Sequence, residues 1–212
     1  MKRYYNNSME LAIVKEKQYR NIDWCWMIIL ISFVGFLVEN IWNILTSGQI
    51  DNRNMHLPFI LGYGLAILGV YLLFGLPTDN KGLISLTNSS NTAFQYITYI
   101  LLVTVFICIS EILIGYGVQY FSGIYYWDFS DVPTHITRYT SILTSVAYSI
   151  TITLFMNYLF DSIMTWFSRF DDKAYKYVGI ILITLLTIDL IVSYGTMIAN
   201  NNHNLIWCIY IE

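Results

Sequence analysis

Charge is what this chain has least of. Only 12% of its 212 residues are Asp, Glu, Lys or Arg, against the roughly 25% with which a soluble domain solvates its surface. Hydrophobic residues make up 56%, and the missing charge is concentrated in long apolar runs, which excludes an ordinary soluble domain and points to a multi-pass membrane protein. A net charge of -3 gives no support for nucleic-acid binding. The three cysteines, Cys25, Cys108 and Cys208, are odd in number and unpaired in spacing, so neither a disulfide framework nor a CxxC metal site is suggested. There is no GxxxxGK-S/T loop, so the chain does not hydrolyse ATP by itself. No Ser-His-Asp order, metal-ligand spacing or nucleophile motif points to a particular reaction, and nothing implies a cofactor.

What is present is a series of five apolar runs, each near the ~20 residues a bilayer demands. They extend from about Trp24 to Leu45, Leu57 to Leu76, Phe94 to Tyr116, Ile142 to Phe167 and Tyr177 to Ala199. The first is too long for a cleaved signal peptide and is expected to be an uncleaved span. The second holds Gly62, Gly64, Gly69 and Gly75, a composition for close packing or a broken helix. The expected fold is all-α and polytopic, with a basic N-terminal segment over residues 1–23 and one transmembrane helical domain over residues 24–212. Residues Met9 to Ile22 read either as an interfacial helix, with Leu11, Val14 and Ile22 on one face, or as a basic tail that fixes topology.

Basic residues set the orientation. Lys2, Arg3, Lys15, Lys17, Arg20, Lys81, Arg169, Lys173 and Lys176 fall on one side of these spans, and only Arg53 and Arg138 on the other. The positive-inside rule then expects a cytoplasmic N-terminus in a cell-membrane protein. Trp24, Trp26, Trp166, Tyr175 and Tyr177 would form an inner aromatic belt, and Trp42, Tyr125, Tyr126 and Trp127 an outer one.

Four carboxylates stand within or at the edges of the spans: Glu39, Glu111, Asp161 and Asp189. An ionised Asp at a helix centre costs about 2.5–3.5 kcal/mol on insertion scales, so such groups line an interior site or hold helices together. Asp161 lies two turns from Arg169 and reads as interfacial, whereas Asp189 is near mid-span with no base on its own helix. Ser32, Gly35, Glu39 and Asn43 share one face of the first span, and Asp189, Ser193, Thr196 and Asn200 one face of the fifth. No Lys or Arg occurs inside any span, so the loop residues Arg53 and Arg138 are the available counter-charges. The expected site is an outward-facing polar pocket where Glu39, Arg53, Glu111, Asp128 and Arg138 converge.

Gly35-Phe36-Leu37-Val38-Glu39 aligns with Gly115-Tyr116-Gly117-Val118-Gln119, and an even number of spans separates them, so a duplication here would be parallel. The first of these blocks is followed by Asn52-Arg53, Pro58 and Gly62-Tyr63-Gly64. The second lies within Glu111, Gly115-Tyr116, Trp127-Asp128-Phe129-Ser130, Pro133 and Arg138. This order resembles the small membrane proteins called the putative ABC-transporter permease family (ABC-transporter type IV), over roughly Ser32 to Ser145. The chain departs from the family pattern at Gln119, where a second glutamate is usual, at Asn54, which replaces a loop glycine, and at His135-Ile136-Thr137-Arg138. By itself, Trp127-Asp128-Phe129-Ser130 reads as an interfacial anchor with a turn-capping Asp or Ser. A lone loop histidine such as His135 reads as a hydrogen-bonded structural residue.

The resemblance implies a transport subunit that binds a small polar or amphipathic substrate, through Glu39, Asn52, Arg53, Glu111, Gln119, Trp127, Asp128 and Arg138. Its partners would be the lipid bilayer and a separate ATPase subunit or further copies of the chain. The loops that would receive an ATPase, Pro77 to Asn91 and Ser168 to Lys176, are short. Two alternatives stay open on the residues alone. One is a membrane-embedded enzyme acting on lipid headgroups at the outer leaflet, with Glu39 and Glu111 as acid and base. The other is a non-catalytic accessory or immunity protein.

Overall fold

A computed structural model describes residues 19–78, 91–204 and 208–210. Most of the expected interfacial helix, the basic residues Lys2, Arg3, Lys15, Lys17 and Lys81, and most of the Pro77–Asn91 loop lie outside the described residues. Three long helices form the frame: α1 (Asn21–Ser47), α3 (Thr92–Ser122) and α6 (Lys173–Asn200). Between them stand α2 (Leu61–Phe74) and the consecutive helices α4 (Ile142–Tyr158) and α5 (Phe160–Phe167). Four short strands complete the fold: β1 (Gln49–Ile50), β2 (His135–Thr137), β3 (Thr140–Ser141) and β4 (Ile209–Tyr210). β1 pairs with β4 and β2 with β3, both antiparallel.

Each long helix has a legible start and stop. Arg20 and Asp23 form a reciprocal box at the start of α1, the side chain of Asn91 accepts from the amides of Ala93 and Phe94, and that of Asp172 accepts from Tyr175. Gly48 and Gly123 end α1 and α3 in the left-handed conformation, at φ 65° and 72°, where a Cβ would be strained. Along α3, Ile97, Leu101, Val105, Ile109 and Leu113 are all exposed at a spacing of four. One helical face is therefore a continuous apolar ridge, which only an apolar solvent accommodates.

Three helices are long and apolar enough to cross a membrane, and a fourth crossing arises if α4 and α5, bent by 52° at Leu159, count as one. The second expected span, Leu57 to Leu76, differs from the sequence reading. Its helix has 14 residues, about 21 Å at 1.5 Å per residue, against a hydrocarbon core of about 30 Å. The reason is local. Pro58 holds its surroundings extended, and the amide of Ile60 reaches the carbonyl of Ser32 in α1 at 3.0 Å. The chain has thus already passed back along the second half of α1 before α2 begins. We call the end of the bundle holding Arg20 and the α5–α6 connection proximal, and the end holding β1–β4 distal.

The proximal half is packed with apolar side chains: Met27, Val70, Phe74, Tyr99, Val103, Met156, Phe160 and Met164 form one buried cluster. Trp24 and Trp26 join this packing rather than an aromatic belt. Trp24 lies 4.8 Å from Tyr71 between ring centroids, and Trp26 stacks on Tyr175 at 5.3 Å. Indole offers more contact area inside than at a headgroup, and Trp26 also donates to the carbonyl of Tyr175 at 3.3 Å. Trp42, Trp166 and Tyr177 do face outward.

Glycine lets α1 and α2 touch. A Cβ on Gly64 would stand 2.5 Å from the carbonyl oxygen of Ile28, whereas one on Gly62 would meet nothing within 4 Å. Gly64→Ala is therefore expected to lower the melting temperature in detergent, despite alanine's better helix propensity. Gly62→Ala is expected to leave it unchanged or raise it, by up to about 1 kcal/mol. Equal effects at the two positions would contradict the α1–α2 contact.

Candidate functional site

The distal half is built the opposite way, around polar side chains. After Gly48 the chain turns back, and Asn40 catches it: its Oδ1 accepts from the Asp51 amide at 2.7 Å while its Nδ2 donates to the Phe36 carbonyl. Asp51 Oδ1 accepts from the Arg53 amide at 3.0 Å. Arg53 and Asn54 both adopt positive φ, 48° and 68°, and this tight reversal returns the Arg53 side chain to α1. There its Nε donates to Oε1 of Glu39, and the Tyr63 hydroxyl donates to Oε2 at 2.9 Å. Gly35 makes that second bond possible, because a Cβ there would collide with the Tyr63 ring at 2.5 Å. Glu39 is mostly buried, its side chain 12% exposed. Glu39 is thus the counter-charge that offsets the cost of burying much of the Arg53 guanidinium.

The same arrangement stands on α3. The Tyr139 ring covers Gly115, and its hydroxyl donates to Gln119 Oε1 at 2.6 Å. Glu111, two turns earlier, accepts from Thr140 Oγ1 at 2.5 Å and Ser145 Oγ at 3.2 Å. Among the described residues no cation bonds it. Tyr148, one turn beyond Ser145, hydrogen-bonds Tyr63 and lies within Coulombic reach of Glu39, Glu111 and Arg53. Tyr148 is thus the side chain that lies near both Glu39 and Glu111.

Asp189 is explained by a partner 133 residues away. Its Oδ1 accepts from the His56 amide at 3.0 Å and lies 2.9 Å from His56 Nδ1. Its Oδ2 accepts from the Leu57 amide at 3.0 Å, and Ser193 adds a bond at 3.2 Å. The carboxylate pins the extended 55–57 segment against α6. Asn52 is buried and donates to the carbonyl of Leu57, and its Oδ1 has no hydrogen-bond partner among the described residues.

The second arginine takes a different place. Arg138 pairs with Asp128 at 3.1 Å and lies 4.0 Å from the centroid of the Tyr125 ring, with both charged side chains well exposed. Hydrogen bonds from Ser130, then the charge of Arg138, hold the Asp128 carboxyl below its usual value. The Ser130 amide donates to Asp128 Oδ1 at 2.8 Å, a capped turn, and Trp127 Nε1 donates to the Tyr139 carbonyl at 2.7 Å. His135 Nδ1 faces the Val132 carbonyl at 3.1 Å. These residues brace the β2–β3 connection and do not contact Glu39 or Arg53. At the proximal end, Tyr19 donates to Asp161 at 2.6 Å.

Sequence reasoning did not identify His56, Tyr63, Tyr126, Thr140 or Asp23 as structural partners. Tyr126 is buried and donates to the Arg53 carbonyl at 2.7 Å. Asp23 is fully buried, held by three bonds from Arg20, one from its amide and two from its guanidinium. The one available signal was position. Each of Tyr63, Tyr126 and Thr140 lies in or beside a connection that returns to a carboxylate-bearing helix.

A polar cleft opens on the distal face, with a volume of about 210 Å³, bounded by Gln49, Asp51, Arg53, Tyr126, His203 and Asn204. Among the described residues no group of three or more His, Cys, Asp or Glu could hold a metal ion.

Long apolar helices around a polar distal interior define a helical membrane protein. Residues 26–194 match the family described as Putative ABC-transporter type IV, and the chain belongs to it. No curated protein and no solved structure matches the chain.

Replacing Asp189 by Leu leaves the amides of His56 and Leu57 without acceptors, at about 1–3 kcal/mol each. The expected outcome is a clear loss of thermal stability, with faster proteolysis of the 51–57 connection. Asp189→Asn, which keeps one acceptor oxygen, should lose less. A Leu variant as resistant as the parent would contradict this role.

Proposed function

We propose that this chain is the membrane-embedded component of an ABC-type transporter, working with a separate ATPase. In this reading it binds a small polar or amphipathic substrate at its distal polar site. The observation that carries the reading is the Arg53–Glu39 pair: a charged couple, mostly buried among apolar helices, beside a polar cleft. Removing one partner of such a pair costs about 3–5 kcal/mol when burial is complete. A protein that needed only helix packing would gain as much from apolar side chains.

The topology in this proposal has five crossings and a cytoplasmic N-terminus in the cell membrane. The return crossing after α1 is non-helical through residues 51–60, with its reversal at Arg53 and Asn54, and helical through α2. Non-helical backbone is tolerated at that depth when protein surrounds it. Arg20, Arg169, Lys173 and Lys176 gather proximally and Arg53 and Arg138 distally, which favours the proximal side as cytoplasmic. The paired Gly35–Tyr63–Glu39 and Gly115–Tyr139–Gln119 arrangements support a parallel duplication, in which Gln119 replaces the second charge. The site is then Glu39, Arg53 and Glu111, with Asn52 and Gln119 supporting it. Trp127, Asp128 and Arg138 form its rim.

The enzyme reading has less support. Glu39 is already engaged by a guanidinium and a phenol, so it is poorly placed as a general acid or base.

Two measurements test the proposal. Purification from the native membrane is expected to bring down a nucleotide-binding subunit, lost on substituting the 77–91 or 168–172 connections. Recovery of the chain without one would remove the transport reading. In a transport or growth assay, Glu39→Gln and Arg53→Ala are expected to reduce function at least tenfold, whereas Asp161→Asn is tolerated. Arg138→Ala should be intermediate, since its partner Asp128 is exposed. Equal tolerance at Glu39, Arg53 and Asp161 would contradict the distal site.

A further inference from the structure

We infer that the distal cleft binds a small group carrying an oxyanion and an ammonium side by side, and that this is the part of the substrate the protein reads. The inference deepens the transport reading above and rests on it for its physiological meaning; the observations behind it are separate.

The fold uses the polar groups of the cleft unevenly. Arg53 gives Nε to Glu39, but neither Nη makes a hydrogen bond among the described residues, and its side chain is 33% exposed. Asp51 gives Oδ1 to the Arg53 amide, leaving Oδ2 without a partner among the described residues. The side chains of Gln49 and His203 likewise make no hydrogen bond there. The opposite wall is committed. Tyr126 holds the Arg53 carbonyl at 2.7 Å, and the Asn204 amide donates to Asn54 Oδ1 at 2.7 Å. A braced wall therefore presents a two-pronged guanidinium edge and a carboxylate oxygen, two residues apart in the chain, to one open cleft.

Guanidinium forks take planar or tetrahedral oxyanions through two parallel N–H donors. A simple anion would enter under repulsion from Asp51 and Glu39, and a simple cation under repulsion from Arg53. A zwitterion meets favourable charge at both ends, and this selects against its singly charged relatives. Size agrees. At about 210 Å³ the cleft is below the ~300 Å³ at which pockets for drug-sized ligands begin, which suits a headgroup or a free small molecule but excludes acyl chains. One chemistry therefore has two sources, a phospholipid headgroup and a soluble zwitterion.

The test uses the full chain in nanodiscs, with O-phosphoethanolamine as the soluble probe and inorganic phosphate as its singly signed control. Binding of O-phosphoethanolamine is expected to be at least about tenfold tighter than that of phosphate, a difference of 1.4 kcal/mol. Arg53→Lys keeps a cation for Glu39 but removes the fork, and Asp51→Asn removes the ammonium partner. Each should weaken the probe about tenfold or more while the melting temperature stays within a few degrees. If phosphatidylethanolamine in the disc displaces the probe and phosphatidylglycerol does not, the source is lipid. If neither displaces it, the source is soluble. Absence of probe binding, phosphate binding as tight as the probe, unchanged affinity in Asp51→Asn, or displacement by phosphatidylglycerol as strong as by phosphatidylethanolamine would overturn the inference. Failure here with an ATPase still co-purifying would leave the transport reading standing; zwitterion binding without any ATPase would remove the transport reading and leave this one.

Discussion

A stretch of non-helical backbone lodged among apolar helices must find every hydrogen bond inside the protein. Residues 49–60 run as non-helical backbone beside α1, half-buried for the most part, and side chains of the distal interior take up several of their backbone groups. Asn40 takes the Asp51 amide, Asp189 takes those of His56 and Leu57, the Ser32 carbonyl takes that of Ile60, and Tyr126 supplies a donor to the Arg53 carbonyl. Three of these partners, Asn40, Ser32 and Asp189, are buried polar residues on the long helices. A buried carboxylate that accepts two backbone amides replaces the hydration it gives up, so its presence at mid-helix needs no substrate. Glu39 is different. It binds side chains only, Arg53 and Tyr63, and through Arg53 it is tied to the wall of the cleft.

The bundle is consequently divided along its length. Its proximal half is an aromatic and aliphatic core, closed by Arg20, which joins Asp23 of α1 to the Phe170 carbonyl and to Asp171 in the α5–α6 connection. Its distal half is a network of carboxylates, hydroxyls and amides. Within that network Tyr148 lies beside Tyr63 and near both Glu39 and Glu111.

Much of this was legible in the sequence, and the limits have physical causes. Long apolar runs with capped ends identify α1, α3 and α6 within a few residues, because insertion energy depends on composition. The run from Leu57 to Leu76 is equally apolar but is helical only from Leu61. Hydropathy does not distinguish buried extended backbone from helix, and Pro58 was the local sign that the helix starts late. That Glu39 would need Arg53 followed from the absence of any base inside the spans. The proximity of Arg138 to Asp128 in the chain allowed their ion pair, but that the pair would stand apart from Glu39 did not follow, because the path of the 123–141 connection is set by β2–β3 and by Tyr139 seated on Gly115. The partner of Asp189 was out of reach for the same reason: His56 comes from 133 residues earlier in the chain, and sequence spacing carries no information at that distance.

The account depends on a direct charge contact between α1 and the connection that returns beside it. A double-mutant cycle on Glu39 and Arg53, with Glu39→Gln and Arg53→Gln made singly and together, tests it by the unfolding free energy of the protein in detergent. The predicted result is a favourable coupling of about 1.5 kcal/mol or more, with the double variant more stable than the sum of the single losses implies. Strict additivity of the two losses would mean that the groups do not meet, and would contradict the distal site as described.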